Sequence, residues 1–393
     1  MMKYFLLMLL SLGAIGCNKV PENMTQAEPF GAGPYSVGST NIEVAPEHAD
    51  IGDRVMHEYL LGRASKPGQP RFLTDILRYP ESAYIVDVSV PEEHEIYGPA
   101  RGLALPVVTF ITYPSSERQQ KNRYAFPYYD AQYGEFEDML GPGEAPHFAD
   151  PEERYPLIIL AHGAAAHGIY DVGRAHNLAS HGYIVAVINY GDDRAGSTRQ
   201  QDLHLPYLRP LLTKAVLDAL LADETYGPRI DADNIGISGH SFGGFTALAV
   251  AGGPFQGNTA TVSDKRIKAA SIAAPWVGGH YNGNDFFAFG PNNADLNRVA
   301  IPIISLFGTK DEAIPASFIL PAMKQLAGPT YVVELVEQPH IFEHGSWDDR
   351  DNWDLLFFAA YLKQDPAALA TLKSARSMKG GNEDIQLFDY HNL

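Results

Sequence analysis

The sequence contains almost no cysteine, since Cys17 is the single one in 393 residues. A disulfide within the chain is therefore impossible, whatever the redox state of its compartment. The same scarcity excludes a thiol nucleophile in the body of the protein and a zinc site built from cysteines. Catalytic or binding chemistry must come from other side chains.

Positive charge is also scarce. Lys and Arg number 29 against 47 Asp and Glu, which gives a formal net charge of −18, and no basic cluster reverses this field locally. Such a chain repels a phosphate backbone, so we expect no nucleic-acid partner. Disorder is excluded as well, because a chain that is 45% hydrophobic and only 19% charged can bury a large core.

The apolar run near the start of the chain is short. Residues 5–12 are too few to span a bilayer, and small residues follow them, which predicts an export signal over 1–17. Cys17 resembles the lipidated cysteine of bacterial lipoproteins, although Ala14 replaces the more usual Leu. The alternative is ordinary cleavage near Gly16. We expect an exported protein that is either anchored to the membrane of the cell envelope, in the periplasm or outer membrane, through a lipid on Cys17, or secreted.

What the sequence does contain is an alternation of apolar runs with two different periods. Residues 83–90 and 105–113 are β-rich runs bounded by Pro and Gly, which predicts two opening strands. From residue 155 onward, strand and helix patterns alternate, and this order is typical of a parallel sheet. The predicted strands are 157–160, 183–188, 234–238, 267–273, 301–307 and 331–336, and the predicted helices include 208–221 and 353–362.

These patterns predict an α/β fold with a mostly parallel central sheet flanked by helices. We assign residues 46–363 to a single catalytic domain with loop insertions, the largest near 115–153. Residues 18–45 are rich in Pro and Gly and predict a linker. Residues 364–393 are assigned to a C-terminal extension.

The sequence Gly239-His240-Ser241-Phe242-Gly243-Gly244 predicts a nucleophile. A serine hydroxyl reacts only when it is exposed beside a base, which a sharp strand-to-helix turn achieves. Glycines two residues before and after Ser241 permit that turn, and an apolar strand precedes it. We interpret His240 as a packing residue.

The oxyanion formed by attack on an ester needs two backbone N–H donors. The residue after the serine, Phe242, supplies one of them. The loop after the strand 157–160 supplies the other, and there we select Ala164. The neighbouring His162 could be mistaken for a base, but a His-Gly pair at a strand end is more often structural.

The acid and the base are expected after later strands, in the order Ser, Asp or Glu, His. Asp311 follows the strand 301–307, with Glu312 as the spare candidate. His340 follows the strand 331–336 directly, and His344 competes with it from one helical turn further on. We favour Asp311 and His340.

These residues resemble the dienelactone-hydrolase-like branch of the α/β-hydrolases, which includes platelet-activating-factor acetylhydrolases and cutinase-like polyester hydrolases. The resemblance rests on the serine motif and on residues 33–38, 155–157, 162–163 and 178–186. It implies the α/β-hydrolase fold. The animal acetylhydrolases carry their acid in an Asp-Ala-Trp run, where this chain has Ala274-Pro275-Trp276. The resemblance therefore implies the polyester-hydrolase arrangement, with the acid at Asp311 and Trp276 as a wall of the acyl pocket.

The predicted function is hydrolysis of carboxylic esters by a Ser-His-Asp triad through an acyl-enzyme. A lipid, polymer or small molecule could supply the ester, and no metal or organic cofactor is needed. Two alternatives stay open: an exported serine peptidase, and an inactive surface binding protein on a hydrolase scaffold. Aromatic residues of the insertion could bind acyl groups, although such clusters more often anchor a long insertion on the body: Tyr124, Phe126, Tyr128, Tyr129, Tyr133 and Phe136.

Overall fold

The computed structural model describes residues 25–43, 45, 73–116, 123–125, 135–164, 166, 168–190, 204–253, 263–281, 284–286, 289–343, 346–381 and 384–387. The predicted export signal with Cys17, the competing histidine His344 and the side chains of the aromatic insertion cluster lie outside these described parts. No helix among the described residues is long and apolar enough to cross a membrane.

The strands of the described chain follow one another in the order β1 to β16. Their bounds are β1 Gln26–Ala27, β2 Ser36–Ser39, β3 Tyr84–Ser89, β4 Ala104–Ser115, β5 Arg123–Ala125, β6 Glu135–Glu137, β7 Tyr155–Ala161, β8 Ile184–Asn189, β9 Ile230–His240, β10 Ile267–Ala273, β11 Gly279–Tyr281, β12 Asn284–Phe286, β13 Ile303–Gly308, β14 Thr330–Leu335, β15 Ser377–Met378 and β16 Asp384–Leu387.

The α-helices are interleaved with the later strands. Their bounds are α1 Val172–Ser180, α2 Leu205–Ala222, α3 Phe242–Ala251, α4 Ala316–Met323, α5 Ser346–Tyr361 and α6 Pro366–Ser374. Short 3-10 turns occupy Leu73–Asp75, Pro80–Ser82, Glu95–Ala100, Gly168–Asp171, Gly227–Arg229 and Pro291–Arg298. The predicted strands and helices are confirmed, with ends that differ from the predicted ones. The largest difference is at α5, which begins at Ser346 rather than at residue 353, because its first turns are polar and were not recognised.

Ten strands form one central sheet in the order β16-β14-β13-β10-β9-β7-β8-β4-β2, with β3 also paired to β4. Six consecutive strands of this sheet are parallel to one another: β14, β13, β10, β9, β7 and β8. The strands β2, β3, β4 and β16 are antiparallel and lie toward the two edges. This confirms the predicted mostly parallel sheet, in which ligands bind at the carboxyl ends of the strands.

Helices cover both faces of the sheet because its parallel strands are apolar on both sides. One core joins α2 and α3 to alternate strand residues such as Leu157 and Ile159. The other joins α1, α5 and α6 to the residues between them, such as Ile158 and Leu160. The central strand β7 is thus buried on both faces and holds the loop that follows it.

The predicted domain limits of 46 and 363 are too narrow. Within the predicted linker 18–45, β2 pairs antiparallel with β4 and so belongs to the central sheet. Within the predicted extension 364–393, β16 pairs with β14, and β15 pairs with β1. These strands are short, and a two- to four-residue strand at a sheet edge carries too little periodicity to be recognised.

Candidate active site

Ser241 lies between the end of β9 and the start of α3 in a strained backbone conformation, with φ 55° and ψ −117°. The turn is tight enough to exclude side chains beside it. A Cβ added to Gly239 would lie 2.3 Å from the carbonyl carbon of Gly243, and one added to Gly243 would lie 1.9 Å from the carbonyl oxygen of Ala161. The two glycines are therefore required by sterics, and the turn presents the serine at the carboxyl edge of the sheet.

The structure brings the three predicted triad residues together in one hydrogen-bonded chain. The Oγ of Ser241 lies 3.0 Å from Nε2 of His340, and Nδ1 of His340 lies 2.7 Å from Oδ2 of Asp311. The other carboxylate oxygen of Asp311 accepts the backbone N–H of Ile314 at 2.7 Å. A proton on Nδ1, donated to the carboxylate, leaves Nε2 free to accept the serine proton.

Asp311 and Glu312, the two candidates for the acid, differ in burial. The side chain of Asp311 is fully buried against His340, whereas Glu312 is exposed at the surface. His344 lies outside the described residues. The geometry thus favours Asp311 over the spare carboxylate, and His340 alone of the two histidines is seen in contact with Ser241.

His240 supports the loop that carries His340. Its Nε2–H donates to the backbone carbonyl of His340 at 2.8 Å, and the two imidazole rings lie 4.9 Å apart. Burial, followed by electrostatic interaction with the nearby His340 and Arg350, lowers the pKa of His240 to about 3. His240 is therefore a neutral donor that holds its neighbour in place, which goes further than the packing role expected from the sequence.

Of the two predicted oxyanion donors, Phe242 is the first residue of α3, where backbone N–H groups have no partner within the helix. Ala164 lies exposed in the loop after β7. The preceding Gly163 approaches the nucleophile so closely that a Cβ on it would lie 3.5 Å from Cβ of Ser241. The loop and the helix start therefore flank the serine from two sides.

His162 is buried and holds this loop rather than the serine. Its Nδ1 lies 2.9 Å from the carbonyl oxygen of Gly163, and its Nε2 accepts the backbone N–H of Tyr190 at 3.4 Å. Burial, together with the charge of Arg209, lowers its pKa. A neutral imidazole with its proton on Nδ1 fits both contacts, in agreement with the structural role predicted for it.

Trp276 is half-buried beside the nucleophile. Its backbone N–H donates to the carbonyl of Ser241 at 3.0 Å, and its ring packs against Phe242 and Phe245 with centroids 5.6 Å and 5.2 Å away. This location is compatible with a pocket wall. The role of Trp276 in acyl binding stays a prediction.

Sequence reasoning missed Arg209, a fully buried arginine on α2. It donates to the carbonyl oxygens of His162 and Gly163. A signal for it existed, because a charged residue at 209 shares the apolar face of a helix with Leu205, Leu212 and Val216, all of them buried. A charge at such a position requires a specific set of partners.

Within the described ranges, no group of three or more His, Cys, Asp or Glu side chains is arranged to hold a metal ion. The residues gathered at the edge of the sheet are instead a serine, a histidine and an aspartate in one hydrogen-bonded chain. Such a set can carry out acyl transfer.

Comparison with known proteins supports this interpretation of the fold. The family described as "Platelet-activating factor acetylhydrolase, isoform II" matches residues 134–205, which include β7, the loop after it and β8. Among solved structures, the chain is similar to a ferulic acid esterase from Streptomyces cinnamoneus, with a TM-score of 0.57 and 19% identity over 78% of this chain and 95% of that chain. No curated protein sequence matches the chain.

The sheet order, the strained turn at its carboxyl edge and the likeness to the esterase structure define the class: the chain has the α/β-hydrolase fold. The expected resemblance to platelet-activating-factor acetylhydrolases is confirmed within residues 134–205. That stretch covers the quoted sequences at 155–157, 162–163 and 178–186, and it ends before Ser241.

Proposed function

We propose that this chain is a serine carboxylic-ester hydrolase. The observation that carries the proposal is the continuous hydrogen-bonded chain from Ser241 through His340 to Asp311. His340 Nε2 takes the serine proton as Oγ attacks the ester carbonyl carbon, and the resulting oxyanion is held by the N–H groups of Phe242 and Ala164. His340 then gives the proton to the leaving alcohol oxygen, and the acyl group stays on Ser241. In the second half, His340 takes a proton from water as the water oxygen attacks the acyl carbon, and it returns that proton to Ser241 Oγ as the acid leaves.

Esters are favoured over peptides by the names of the similar proteins. One is described as a platelet-activating factor acetylhydrolase and the other as a ferulic acid esterase. Both names denote cleavage of an acyl–oxygen bond. An ester also needs less assistance to the leaving group than an amide, because an alkoxide leaves more readily than an amine anion.

Apolar side chains at the carboxyl edge of the sheet favour an apolar acyl or aryl group. Trp276 lies beside Ser241, and three exposed large apolar residues lie on the segments that follow β7, β13 and β14: Tyr170, Phe318 and Ile341. These strands end at the same edge of the sheet as β9. Burial of acyl carbons against such side chains contributes about 25 cal/mol per Å².

The test is covalent labelling together with turnover. A fluorophosphonate should label the purified protein, and Ser241→Ala should lose both the label and more than about 10³-fold of p-nitrophenyl butyrate turnover. Ser374→Ala, at an exposed serine on α6, serves as the matched control and should behave as wild type. A wild-type protein that is folded yet neither labelled nor active would favour the inactive binding protein, and anilide cleavage matching ester cleavage would favour the peptidase.

We also propose that the protein is exported and anchored to the envelope membrane through a lipid on Cys17. The support is the sequence of residues 1–17 alone. When it is expressed in a bacterial host, the full-length chain should partition into the detergent phase, and Cys17→Ser should move it to the aqueous phase or leave its signal uncleaved. Aqueous partitioning of the unaltered chain with a free N-terminus at or near residue 17 would support ordinary secretion instead.

A further inference from the structure

We propose that Arg209 is a positioning residue for the oxyanion hole, which it aligns by holding the carbonyl groups of the loop that follows β7. The inference rests on the proposed ester hydrolysis, since it assigns a residue that prepares the donors used in that reaction. Arg209 itself does not touch the reacting atoms.

The place of Arg209 requires an explanation because its charge is removed from water. The residue is 0% exposed and lies on α2 among leucines of the core. Burying a guanidinium is costly unless its donors are satisfied. A leucine would fill this face of the helix without that cost, so the observed partners of the guanidinium indicate what the charge does.

The guanidinium contacts both sides of the predicted oxyanion hole. Its Nη1–H donates to the carbonyl oxygen of His162 at 2.6 Å, and Nη2–H donates to the carbonyl oxygen of Gly163 at 3.3 Å. On the other side it lies over the ring of Phe242, 4.7 Å from the centroid. One side chain therefore touches the loop before Ala164 and the residue after the nucleophile.

Because the peptide group is planar, these contacts to the carbonyl oxygens also fix the direction of the backbone N–H groups. In a trans peptide the N–H points opposite to the C=O, and the described chain contains no cis bonds. With the His162 and Gly163 carbonyls turned toward Arg209, the N–H groups of Gly163 and Ala164 must point away from it. Gly163 is also the residue whose added Cβ would approach Ser241 to 3.5 Å, so the loop lies next to the nucleophile.

The same contacts strengthen the donors. A cation on a carbonyl oxygen polarises the amide, and hydrogen bonds in a chain of this kind reinforce one another. His162 adds its Nδ1–H to the carbonyl of Gly163 at 2.9 Å. The Gly163–Ala164 peptide is thus held by two donors on its oxygen, and its N–H is left to bind the oxyanion.

The position of the guanidinium is itself fixed. The ring of Tyr190 lies 4.7 Å from it, and the hydroxyl of Tyr190 is within 2.8 Å of Thr213 Oγ1. Thr213 in turn donates to the backbone carbonyl of Arg209. The planar fork is held between two aromatic rings, a geometry that lysine cannot reproduce.

The experiment compares Arg209→Met, which keeps the length of the side chain but loses its donors, with Arg209→Lys, which keeps the charge but loses the fork. For p-nitrophenyl butyrate we expect kcat to fall about 30- to 100-fold in Arg209→Met and about 5-fold in Arg209→Lys, with KM within about threefold of wild type.

A trifluoromethyl ketone provides the second readout. Ser241 Oγ adds to its carbonyl carbon, the serine proton passes to His340, and the ketone oxygen becomes the oxyanion, so its Ki should rise by the same factor as kcat falls.

The matched control is Lys214→Met, which removes a positive charge from the same helix and should leave both readouts at the wild-type value. A folded Arg209→Met with kcat within about threefold of wild type would overturn the proposal, and so would a loss of kcat with an unchanged Ki. If Arg209→Met does not fold, Arg209→Lys decides by the same two readouts. A wild-type enzyme without ester turnover would count against the proposed function, whereas an active wild type with an equally active Arg209→Met counts against this inference alone.

Discussion

Two buried arginines on opposite faces of the central sheet, Arg174 and Arg209, have different kinds of partner. Arg174, on α1, pairs with the carboxylate of Asp354 and donates to Ser238 Oγ at 2.6 Å. Arg209, on the opposite face, donates to backbone carbonyl oxygens of the loop after β7. A carboxylate partner ties secondary-structure elements together, whereas carbonyl partners fix the direction of peptide groups.

The Arg174 region connects four elements behind the active site. Asp354, on α5, also accepts the hydroxyl of Ser271 on β10, while Ser238 lies on β9 only three residues before the nucleophile. Asp171 and Asp351 lie within 4 Å of the same guanidinium. We infer from this difference that alterations on the Arg174 side should change stability and that alterations on the Arg209 side should change the chemical step.

The largest effect is expected at Asp311, which is as fully buried as Asp354 but belongs to the proposed active site. Asp311→Asn should lower kcat by about 10⁴-fold, because an amide favours the wrong tautomer of His340. The measurement is ester turnover at saturating substrate. The matched control is Glu312→Gln, at the exposed neighbour, which should retain wild-type turnover. Retention of activity in Asp311→Asn, with loss in Glu312→Gln, would transfer the acid role to Glu312.

At Asp354 the comparison predicts a large loss of stability and little change in turnover. Asp354→Leu leaves Arg174 buried without its closest carboxylate, so the free energy of unfolding should fall by about 3–5 kcal/mol. The kcat of the protein that remains folded should stay within about threefold of wild type. Unfolding in urea, followed by tryptophan fluorescence, measures the first quantity.

The double variant Arg174→Met/Asp354→Leu separates the ion pair from simple loss of packing. Replacing both partners by apolar side chains removes the buried charge of Arg174 together with that of Asp354. Arg350, which lies 3.9 Å from the same carboxylate, loses this partner in both variants, so part of the lost stability should return. If the double variant is no more stable than Asp354→Leu, the pair is not what connects α1 to α5, and the contrast between the two arginines no longer holds.

The sequence predicted the fold, and the three residues that the structure joins in one hydrogen-bonded chain, better than it predicted the residues that support them. Strands such as β9 and β10 are recognisable because their apolar runs are continuous, and Ser241 is recognisable because sterics demand glycines at fixed offsets. The edge strands β2 and β16 were not predicted, because a strand of four residues is too short to show a periodic pattern. Arg209 and Arg174 escaped as well, since the partners of a buried charge come from distant parts of the chain.

His240 provides a smaller test on the active-site side. His240→Leu removes the donor to the His340 carbonyl, so kcat should fall about 10-fold as the loop that carries the base loosens. His240→Gln can supply an amide N–H to the same oxygen and should recover most of that loss. Both variants are assayed with p-nitrophenyl butyrate. Equal turnover in the wild type and His240→Leu would show that the hydrogen bond is dispensable.

The smallest effect concerns pH and also arises at His240. Its pKa is lowered to about 3 in the folded protein, against about 6.5 in an unfolded chain. The unfolded state therefore binds more protons between these values, and stability must fall as the pH drops below 6.5. Between pH 8 and pH 6, His240 should cost about 0.8 kcal/mol of unfolding free energy, a loss that His240→Gln should lack. Urea unfolding at the two pH values measures the difference. An equal loss in both proteins would mean that His240 takes up a proton in the folded state, and hence that the neutral donor to His340 inferred from its burial is wrong.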